Sequence, residues 1–232
     1  MTSDETALIV GANRGIGLAV AAEFAARGLR VIATARNLGA AQALRDLGVR
    51  YPDRIDILQV DMNASATIDA LVGALAGRRL DVALINAGVS GPAHRSADAA
   101  TAAEIGDLMY VNAVAPIRLA RALAGLMAPD RGVLAFTSSA MGSVAANPGG
   151  HELYRASKAA LNSLTRGLWA EMKPRGVTVL TLHPGWVRTD MGGPSAAVGV
   201  DESARGMADV IESRRDARAH LFLDWRGQEI PW

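Results

Sequence analysis

Short apolar runs alternate along the chain with longer segments in which apolar residues recur at helical spacing. The apolar runs are rich in Val, Ile, Leu and Ala, as in buried strands, and lie at residues 7–10, 29–34, 55–60, 81–85, 132–137, 177–182 and 221–223. The segments that predict helices lie at residues 18–27, 38–47, 67–76, 99–126, 159–164 and 207–211. This alternation predicts an α/β fold with a doubly wound parallel sheet of seven strands and helices on both faces.

The amino-acid composition argues against several classes of function, including nucleic-acid binding and membrane association. Half of the 232 residues are apolar and no stretch resembles a linker, which predicts one domain over residues 1–232. The 24 basic and 23 acidic residues nearly balance without a basic cluster, so nucleic-acid binding is not expected. No apolar run reaches the length of a membrane span, and residues 1–5 are polar and acidic, unlike a signal peptide. We therefore expect a cytoplasmic protein with no membrane partner.

Cysteine and histidine usage removes further kinds of chemistry. The chain has no cysteine, which excludes disulfides, thiolate catalysis and cysteine-type zinc sites. His94, His151, His183 and His220 are scattered without the spacing of metal ligands, so no metal site is expected. Each histidine is interpreted as a loop or surface residue.

Tyr154 and Lys158 stand four residues apart in a predicted helix, which places a phenol and an ammonium one turn apart on one face. A fixed positive charge favours the phenolate, so Lys158 is expected to lower the pKa of Tyr154 towards the working pH. The phenol is then a candidate general acid and base. Such a pair also occurs on ordinary helix surfaces, but of 24 basic residues only Lys158 and Lys173 are lysines.

A glycine-rich turn, GANRGIG at residues 11–17, separates the first predicted strand from the first predicted helix. A glycine turn at a helix N-terminus lets backbone N–H groups close on a pyrophosphate, and the helix dipole favours the negative charge. The spacing of its glycines differs from the commoner G-x-G-x-x-G pattern, and the segment could also be a simple tight turn.

Arg36 follows the second predicted strand, where dinucleotide folds often carry an acidic residue for the adenosine ribose. A guanidinium instead fits a 2′-phosphate, and Arg14 in the glycine turn could assist it. The pair favours NADP(H) over NAD(H), although either arginine could be a solvated loop charge.

Polar residues also follow other strands, and ligands of parallel sheets bind at the carboxyl ends of the strands. Asp61 and Asn86 follow the third and fourth strands, although Asp61 could cap a helix and Asn86 could be a turn residue. Ser139 follows the fifth strand and offers a hydroxyl to a substrate oxygen. Asn112 lies in a long helical region four residues before Pro116, which predicts a local distortion that frees a backbone carbonyl; otherwise Asn112 is a polar residue on an exposed face.

Together these motifs resemble the short-chain dehydrogenase/reductase family, in its single-domain branch, over essentially the whole chain, which implies a Rossmann fold. The matching segments are the turn at residues 11–17, Asn86-Ala87-Gly88, Ser139, the Tyr154-x-x-x-Lys158 pair, Asn112, Pro184-Gly185 and Thr189. Within the family the chain looks like the C-factor/sniffer group of carbonyl reductases, including the insert at residues 147–150 between Ser139 and Tyr154.

The resemblance implies a set of site residues. The implied catalytic residues are Asn112, Ser139, Tyr154 and Lys158. The implied cofactor-binding residues are Gly11, Asn13, Arg14, Gly15, Ile16, Gly17, Arg36, Asp61, Met62, Asn86, Ala87, Gly88, Tyr154, Lys158, Pro184, Gly185, Val187 and Thr189. Met141, Trp186 and Met191 are the expected walls of an apolar, open substrate pocket, although each could equally be a packing residue, and residues 189–201 are short for a lid.

The implied activity is hydride transfer between NADP(H) and a small-molecule carbonyl or secondary alcohol, with Tyr154 as general acid and base. A homodimer or homotetramer is implied as well. Two alternatives remain at this point. The chain could be a dinucleotide-binding signalling or regulatory protein of C-factor type with incidental catalysis, or a methyltransferase on a similar sheet.

Overall fold

The computed structural model describes residues 5–232, and one seven-stranded sheet runs through them. The strands are β1 (Thr6–Val10), β2 (Arg30–Ala35), β3 (Ile55–Gln59), β4 (Val82–Ile85), β5 (Val133–Thr137), β6 (Thr178–His183) and β7 (His220–Asp224). Their spatial order is β3-β2-β1-β4-β5-β6-β7, and every neighbouring pair is parallel. All seven predicted strands are confirmed, with bounds that shift by at most one residue.

Helices connect the strands. They are α1 (Gly15–Ala26), α2 (Gln42–Arg50), α3 (Ser65–Ala74), α4 (Ala102–Met109), α5 (Ala115–Leu123), α6 (Glu152–Met172) and α7 (Val200–Ser213). Helix α2 begins later than predicted, because Leu38–Ala40 form a separate 3₁₀ turn whose start is capped by the Asn37 side chain. Helix α4 begins with a capping box between Thr101 and Glu104. Within residues 5–232, no helix combines the length and the apolar character that crossing a membrane requires, and the cytoplasmic location stays a prediction.

The helices cover both faces of the sheet, as strand β1 illustrates. Ala7 and Ile9 pack into the apolar cluster that includes side chains of α1, α2 and α7. Leu8 and Val10 pack into the opposite cluster, with side chains of α3, α5 and α6. Alternate residues of a strand point to opposite faces, so a strand buried on both faces is apolar at nearly every position. This explains the continuous apolar runs and confirms the doubly wound arrangement.

The region predicted as one helix over residues 99–126 contains a local distortion. A single π-helical turn, Tyr110–Val114, lies between α4 and α5, and the N–H of Ala115 donates to the carbonyl of Tyr110. Pro116 is the second residue of α5 and has no N–H for the carbonyl of Asn112 four residues earlier. The predicted distortion is confirmed, but Asn112 is 1% exposed, so its interpretation as a residue on an exposed face is wrong.

The interpretation of every histidine as a loop or surface residue is wrong for two of them. His183 ends β6 and is half-buried, while His220 begins β7 and is buried. The Nε2 atom of His220 lies 3.0 Å from Thr181 Oγ1 and 3.1 Å from Thr165 Oγ1. Its ring centroid lies 4.5 Å from that of Trp232. The two hydroxyl groups pair Nε2 of the buried ring, while its Nδ1 atom is buried without a hydrogen-bond partner among the described residues.

Candidate active site

A long groove of about 1090 Å³ lies at the carboxyl edge of the sheet. We call it the sheet-edge groove; it crosses the ends of β1 and β4, the point at which the strand order reverses and where ligands of such sheets bind. The predicted cofactor residues that line it are Gly11, Asn13, Arg14, Gly15, Ile16, Arg36, Asp61, Met62, Asn86, Ala87, Gly88, Tyr154, Lys158, Pro184 and Thr189. Gly17, Gly185 and Val187 are absent from this lining.

The glycine turn at residues 11–17 is shaped by the absence of side chains. Gly11 and Gly15 have φ values of +82° and +56°, in the left-handed region that favours glycine. A Cβ atom at Gly17 would overlap the carbonyl oxygen of Gly11 and lie 2.7 Å from Asn86 Nδ2. Helix α1 begins at Gly15, so its N-terminal end faces the sheet-edge groove. The turn therefore fits the pyrophosphate of a dinucleotide.

Asn86 holds the glycine turn to the neighbouring strands. Its Nδ2 donates to the carbonyl oxygen of Gly11 at 3.1 Å, and its Oδ1 accepts from Thr137 Oγ1 at 2.9 Å. The ends of β1, β4 and β5 are thereby joined through one side chain. Asn86 is more than a residue of a strand-end turn.

Two arginines line the end of the groove at which the adenosine was predicted to bind. Arg36 is exposed just after β2, and its carbonyl oxygen accepts from Gln59 Nε2 at 3.0 Å. Arg14 is also exposed and forms an ion pair with Asp190, which lines the same groove. Asp190 was not among the predicted site residues, although it follows the predicted Thr189 directly.

Asp61 and Met62 follow β3 and border the same groove. The Oδ1 atom of Asp61 accepts from the N–H of Asn63 at 3.0 Å, and its carbonyl oxygen accepts from Thr67 Oγ1 at 2.9 Å. The N-cap position of α3 is Ala64. Asp61 therefore shapes the loop before α3 and does not cap the helix itself.

Helix α6 carries Tyr154 and Lys158 one turn apart, and both side chains reach the sheet-edge groove as predicted. Lys158 is 4% exposed, and its Nζ atom donates to the carbonyl oxygen of Thr137 at 2.9 Å. The same Nζ atom lies 5.8 Å from the centre of the Tyr154 ring. The two side chains and the end of β5 therefore form one compact group.

Burial dominates the protonation of this group. It raises the pKa of Tyr154 to about 12, while the neighbouring Ser139 hydroxyl lowers the same pKa. Burial lowers the pKa of Lys158 to about 8. The pKa of Tyr154 is therefore not brought towards the working pH as predicted, because removing the phenolate from water raises it more than the Ser139 hydrogen bond lowers it.

Ser139 and Asn112 flank the Tyr154 group. Ser139 caps a short 3₁₀ turn, Ala140–Gly142, and its Oγ atom accepts from the N–H of Met141 at 3.1 Å. The Oδ1 atom of Asn112 accepts from the N–H of Val89 at 2.8 Å, and its Nδ2 donates to the Val89 carbonyl oxygen at 2.8 Å. The same Nδ2 donates to Ser157 Oγ on α6 at 3.0 Å. Asn112 thus ties the π-helical turn to the loop after β4 and to α6.

The predicted substrate walls are only partly brought together. Met191 borders the sheet-edge groove, and so does Val89, which sequence reasoning missed although it follows Gly88 directly. The exposed Trp186 instead donates from Nε1 to the carbonyl oxygen of Gly192 at 2.8 Å. Met141 lines a separate depression of about 270 Å³ against α6. Of the three predicted walls, the sheet-edge groove therefore includes Met191 alone.

The fold and the sheet-edge groove define a Rossmann-type α/β protein. Residues 5–197 match the family described as short chain dehydrogenase. The chain belongs to this family of oxidoreductases. This membership excludes the methyltransferase alternative.

Individual relatives agree with this assignment. The chain is 41% identical over 155 residues to the C-signal protein of Myxococcus xanthus. The aligned residues cover 66% of this chain and 93% of that protein. The chain superposes with a TM-score of 0.95 on a short-chain dehydrogenase/reductase of Burkholderia multivorans with bound NADP, at 39% identity over 99% of this chain and 100% of that one. A carbonyl reductase of Pseudomonas aeruginosa in complex with NADP gives a TM-score of 0.92, at 42% identity over 99% of this chain and 100% of that one.

Proposed function

We propose that this chain is a single catalytic domain that transfers a hydride between NADP(H) and a carbonyl or secondary alcohol. The observation that carries the proposal is the position of Tyr154 and Lys158, which reach from one face of α6 into the groove that begins at the glycine turn. An acid and a dinucleotide site then share one cavity, as a reductase of carbonyl groups requires.

NADP(H) is proposed as the cofactor in preference to NAD(H). Two guanidinium groups, Arg36 and Arg14, line the groove, and the position after β2 carries no carboxylate for a ribose hydroxyl. The names of two similar solved structures include NADP, which supports the same choice. Residues 11–17 would bind the pyrophosphate, and Arg36, Asp61 and Met62 would bind the adenosine. The residues proposed to bind the nicotinamide are Asn86, Ala87, Gly88, Pro184, Gly185, Val187 and Thr189.

When bound, the dinucleotide supplies the hydride that reduces the carbonyl carbon. Tyr154 gives its phenolic proton to the oxygen of the forming alcohol, and Ser139 donates a hydrogen bond to the same oxygen. Lys158 holds positive charge beside the phenolate that remains, and thereby favours loss of the proton in that state. Asn112 fixes the π-helical turn, where a main-chain carbonyl is available to a water that returns the proton to Tyr154.

The substrate class follows from the rim of the groove. Met191 and Val89 border the groove and are large apolar side chains that remain exposed. Exposed apolar side chains beside a polar catalytic group favour a hydrophobic carbonyl compound. Residues 187–198 are held in a folded loop, since Val187 pairs with Val198 and Arg188 donates to the carbonyls of Ala196 and Ala197. We therefore propose an open site that accepts several aldehydes and ketones.

Oxidation of NADPH, followed by its absorbance, with a panel of aromatic and aliphatic aldehydes and ketones tests the proposal. NADH in parallel tests the cofactor preference, and Tyr154→Phe is the matched control because it removes only the phenolic oxygen. We expect turnover with NADPH that is lost in Tyr154→Phe while NADPH still binds. Equal turnover by Tyr154→Phe would refute the assignment of the general acid.

A signalling or regulatory role is the second candidate, and the similarity to the C-signal protein is the observation that favours it. Such a role would need dinucleotide binding without rapid turnover. Tight NADPH binding by the wild-type chain without turnover on any carbonyl would therefore favour it over the reductase. A homodimer or homotetramer stays a prediction, which sedimentation of the purified chain tests.

A further inference from the structure

Asn162 lies about two helical turns beyond Tyr154 on α6 and has no part in the reaction proposed above. It is 4% exposed. Its Oδ1 accepts from Ser138 Oγ at 2.7 Å, and its Nδ2 donates to the carbonyl oxygen of Gly142 at 3.2 Å. Ser138 immediately precedes Ser139, and Gly142 ends the 3₁₀ turn that Ser139 caps. The Asn162 amide therefore holds both ends of this segment, residues 138–142, which we call the Ser139 turn.

The Ser139 turn rests directly on α6 at this point. A Cβ atom added to Gly142 would lie 2.9 Å from the carbonyl carbon of Lys158 and 3.0 Å from Asn162 Nδ2. Real Cβ atoms do not approach backbone this closely without displacement, so only glycine lets the turn and the helix meet. The turn is also fixed to the sheet, because the N–H of Ser138 donates to the carbonyl oxygen of Leu182 at 2.7 Å.

The polypeptide between Ser139 and Tyr154 is poorly suited to fix their separation. Residues 144–150 are all exposed, and Gly149 and Gly150 adopt φ values of +90° and +69°. Glycines with few neighbours give a loop many accessible conformations. A direct link between the Ser139 turn and the rigid helix is therefore the shorter and stiffer connection.

We propose that Asn162 is a positioning residue that sets the placement of the Ser139 hydroxyl relative to the Tyr154 phenol. Tyr154, Lys158 and Asn162 are spaced at four-residue intervals and share one face of α6. The helix that presents the acid thus also anchors the residue that orients the carbonyl. This inference rests on the proposed reductase function.

Kinetics of Asn162→Ala test the proposal, with Ser138→Ala as a milder variant that removes only the 2.7 Å bond. We expect kcat to fall roughly 10- to 100-fold in Asn162→Ala with an unchanged KM for NADPH, since small misplacements of catalytic groups have effects of this order. In a Ser139→Ala background, Asn162→Ala should cause no further loss, because both changes remove the same interaction. The Ser139 hydroxyl lowers the pKa of Tyr154, so displacing it in Asn162→Ala should raise that pKa. In alcohol oxidation by Asn162→Ala, the rise of kcat with pH should therefore occur at higher pH than in the wild-type chain.

Thr165→Val is the matched control. Thr165 is another fully buried polar residue of α6, and the hydrogen-bond partners of its Oγ1 are the carbonyl oxygen of Asn162, at 2.8 Å, and His220 Nε2, neither of which belongs to the Ser139 turn. This variant should lower stability and leave kcat and its pH profile unchanged. An equal loss of kcat in Thr165→Val would show that any destabilisation of α6 suffices, which would overturn the positioning role.

Amide hydrogen exchange of residues 138–143 tests the role of Asn162 independently of the proposed enzymatic activity. We expect faster exchange of this segment in Asn162→Ala, and unchanged exchange in β6, whether or not a substrate is known. Unchanged exchange in residues 138–143, or kcat losses that multiply in the double variant, would overturn the inference. A wild-type chain that reduces no carbonyl overturns the proposed reductase and, with it, the catalytic consequence of the anchor.

Discussion

Replacing Lys158 with methionine should make the protein more stable at neutral pH while abolishing its proposed activity. Lys158 is almost fully buried and has one hydrogen bond from Nζ, to the Thr137 carbonyl oxygen. Burial lowers its pKa from 10.5 to about 8. A lysine that is still charged in such a place lowers the free energy of unfolding, because water solvates the ammonium better in the unfolded chain.

The size of the effect follows from the pKa. Each pKa unit corresponds to 1.36 kcal/mol, so the fall from 10.5 to about 8 costs about 3 kcal/mol at pH 7, where both folded and unfolded chains carry the charge. Methionine has a similar length, and the lost hydrogen bond to Thr137 offsets about 1 kcal/mol of the gain. Lys158→Met should therefore raise the free energy of unfolding by about 2 kcal/mol.

The pH dependence has a definite sign. The pKa of Lys158 is lower in the folded chain than in the unfolded chain, so between pH 8 and 10.5 the unfolded chain binds more protons. The stability of the wild-type chain should rise with pH through this window. The stability of Lys158→Met should lack this contribution. The difference in the free energy of unfolding between the two proteins should therefore nearly vanish by about pH 9.5.

Urea unfolding of both proteins at pH 7 and at about pH 9.5 measures this difference. Lys173→Met is the matched control, because Lys173 is the only other lysine and is exposed at the end of α6. It should change stability little and equally at both pH values. A Lys158→Met protein that is less stable than wild type at pH 7, or an advantage that persists unchanged at high pH, would refute the reasoning.

Three further outcomes are expected. Gly17→Ala should greatly weaken NADPH binding, as measured by titration, and lower the free energy of unfolding by about 1–3 kcal/mol, because the added Cβ has no room. Gly167→Ala is the control, because no atom lies near its added Cβ, and it should leave NADPH binding unchanged. Arg36→Ser should lower kcat/KM for NADPH by roughly 10- to 100-fold and leave that for NADH nearly unchanged, because only a 2′-phosphate needs the guanidinium. Burial lowers the pKa of His220 from 6.5 to about 4, so stability should fall as pH drops from 6.5 towards 4, and calorimetric melting of His220→Gln should show a weaker fall.

The central strands could be predicted from sequence because they are buried on both faces, whereas the edge strand β3 keeps Asp56 and Gln59 exposed. A run such as residues 82–85 is apolar at every position, which is typical of a strand in a buried parallel sheet. Helix ends were harder to predict. Residues 38–47 have helical composition throughout, but Leu38–Ala40 form a separate 3₁₀ turn that the Asn37 side chain caps.

The position of the candidate site could be predicted, but its electrostatics could not. The spacing of Tyr154 and Lys158 within one helix fixes their proximity, which is a local property. The pKa of Tyr154 depends on its burial and on its hydrogen bond with Ser139, and both are set by tertiary structure. Likewise the partners of Asp190 and Asn162 lie 176 and 24 residues away in sequence, so no local sequence pattern predicts either contact.

Helix α6 shows how a polar site can be buried without unfolding the protein. Ser157, Asn162 and Thr165 are all buried on this helix, and the side chain of each is hydrogen-bonded. Paired polar groups cost little, whereas a buried ammonium with one carbonyl partner retains much of its desolvation cost. The destabilisation therefore concentrates at Lys158, which is the residue that the proposed reaction needs charged. A stabilising Lys158→Met substitution would thus measure how much stability the fold gives up to keep a cation beside Tyr154.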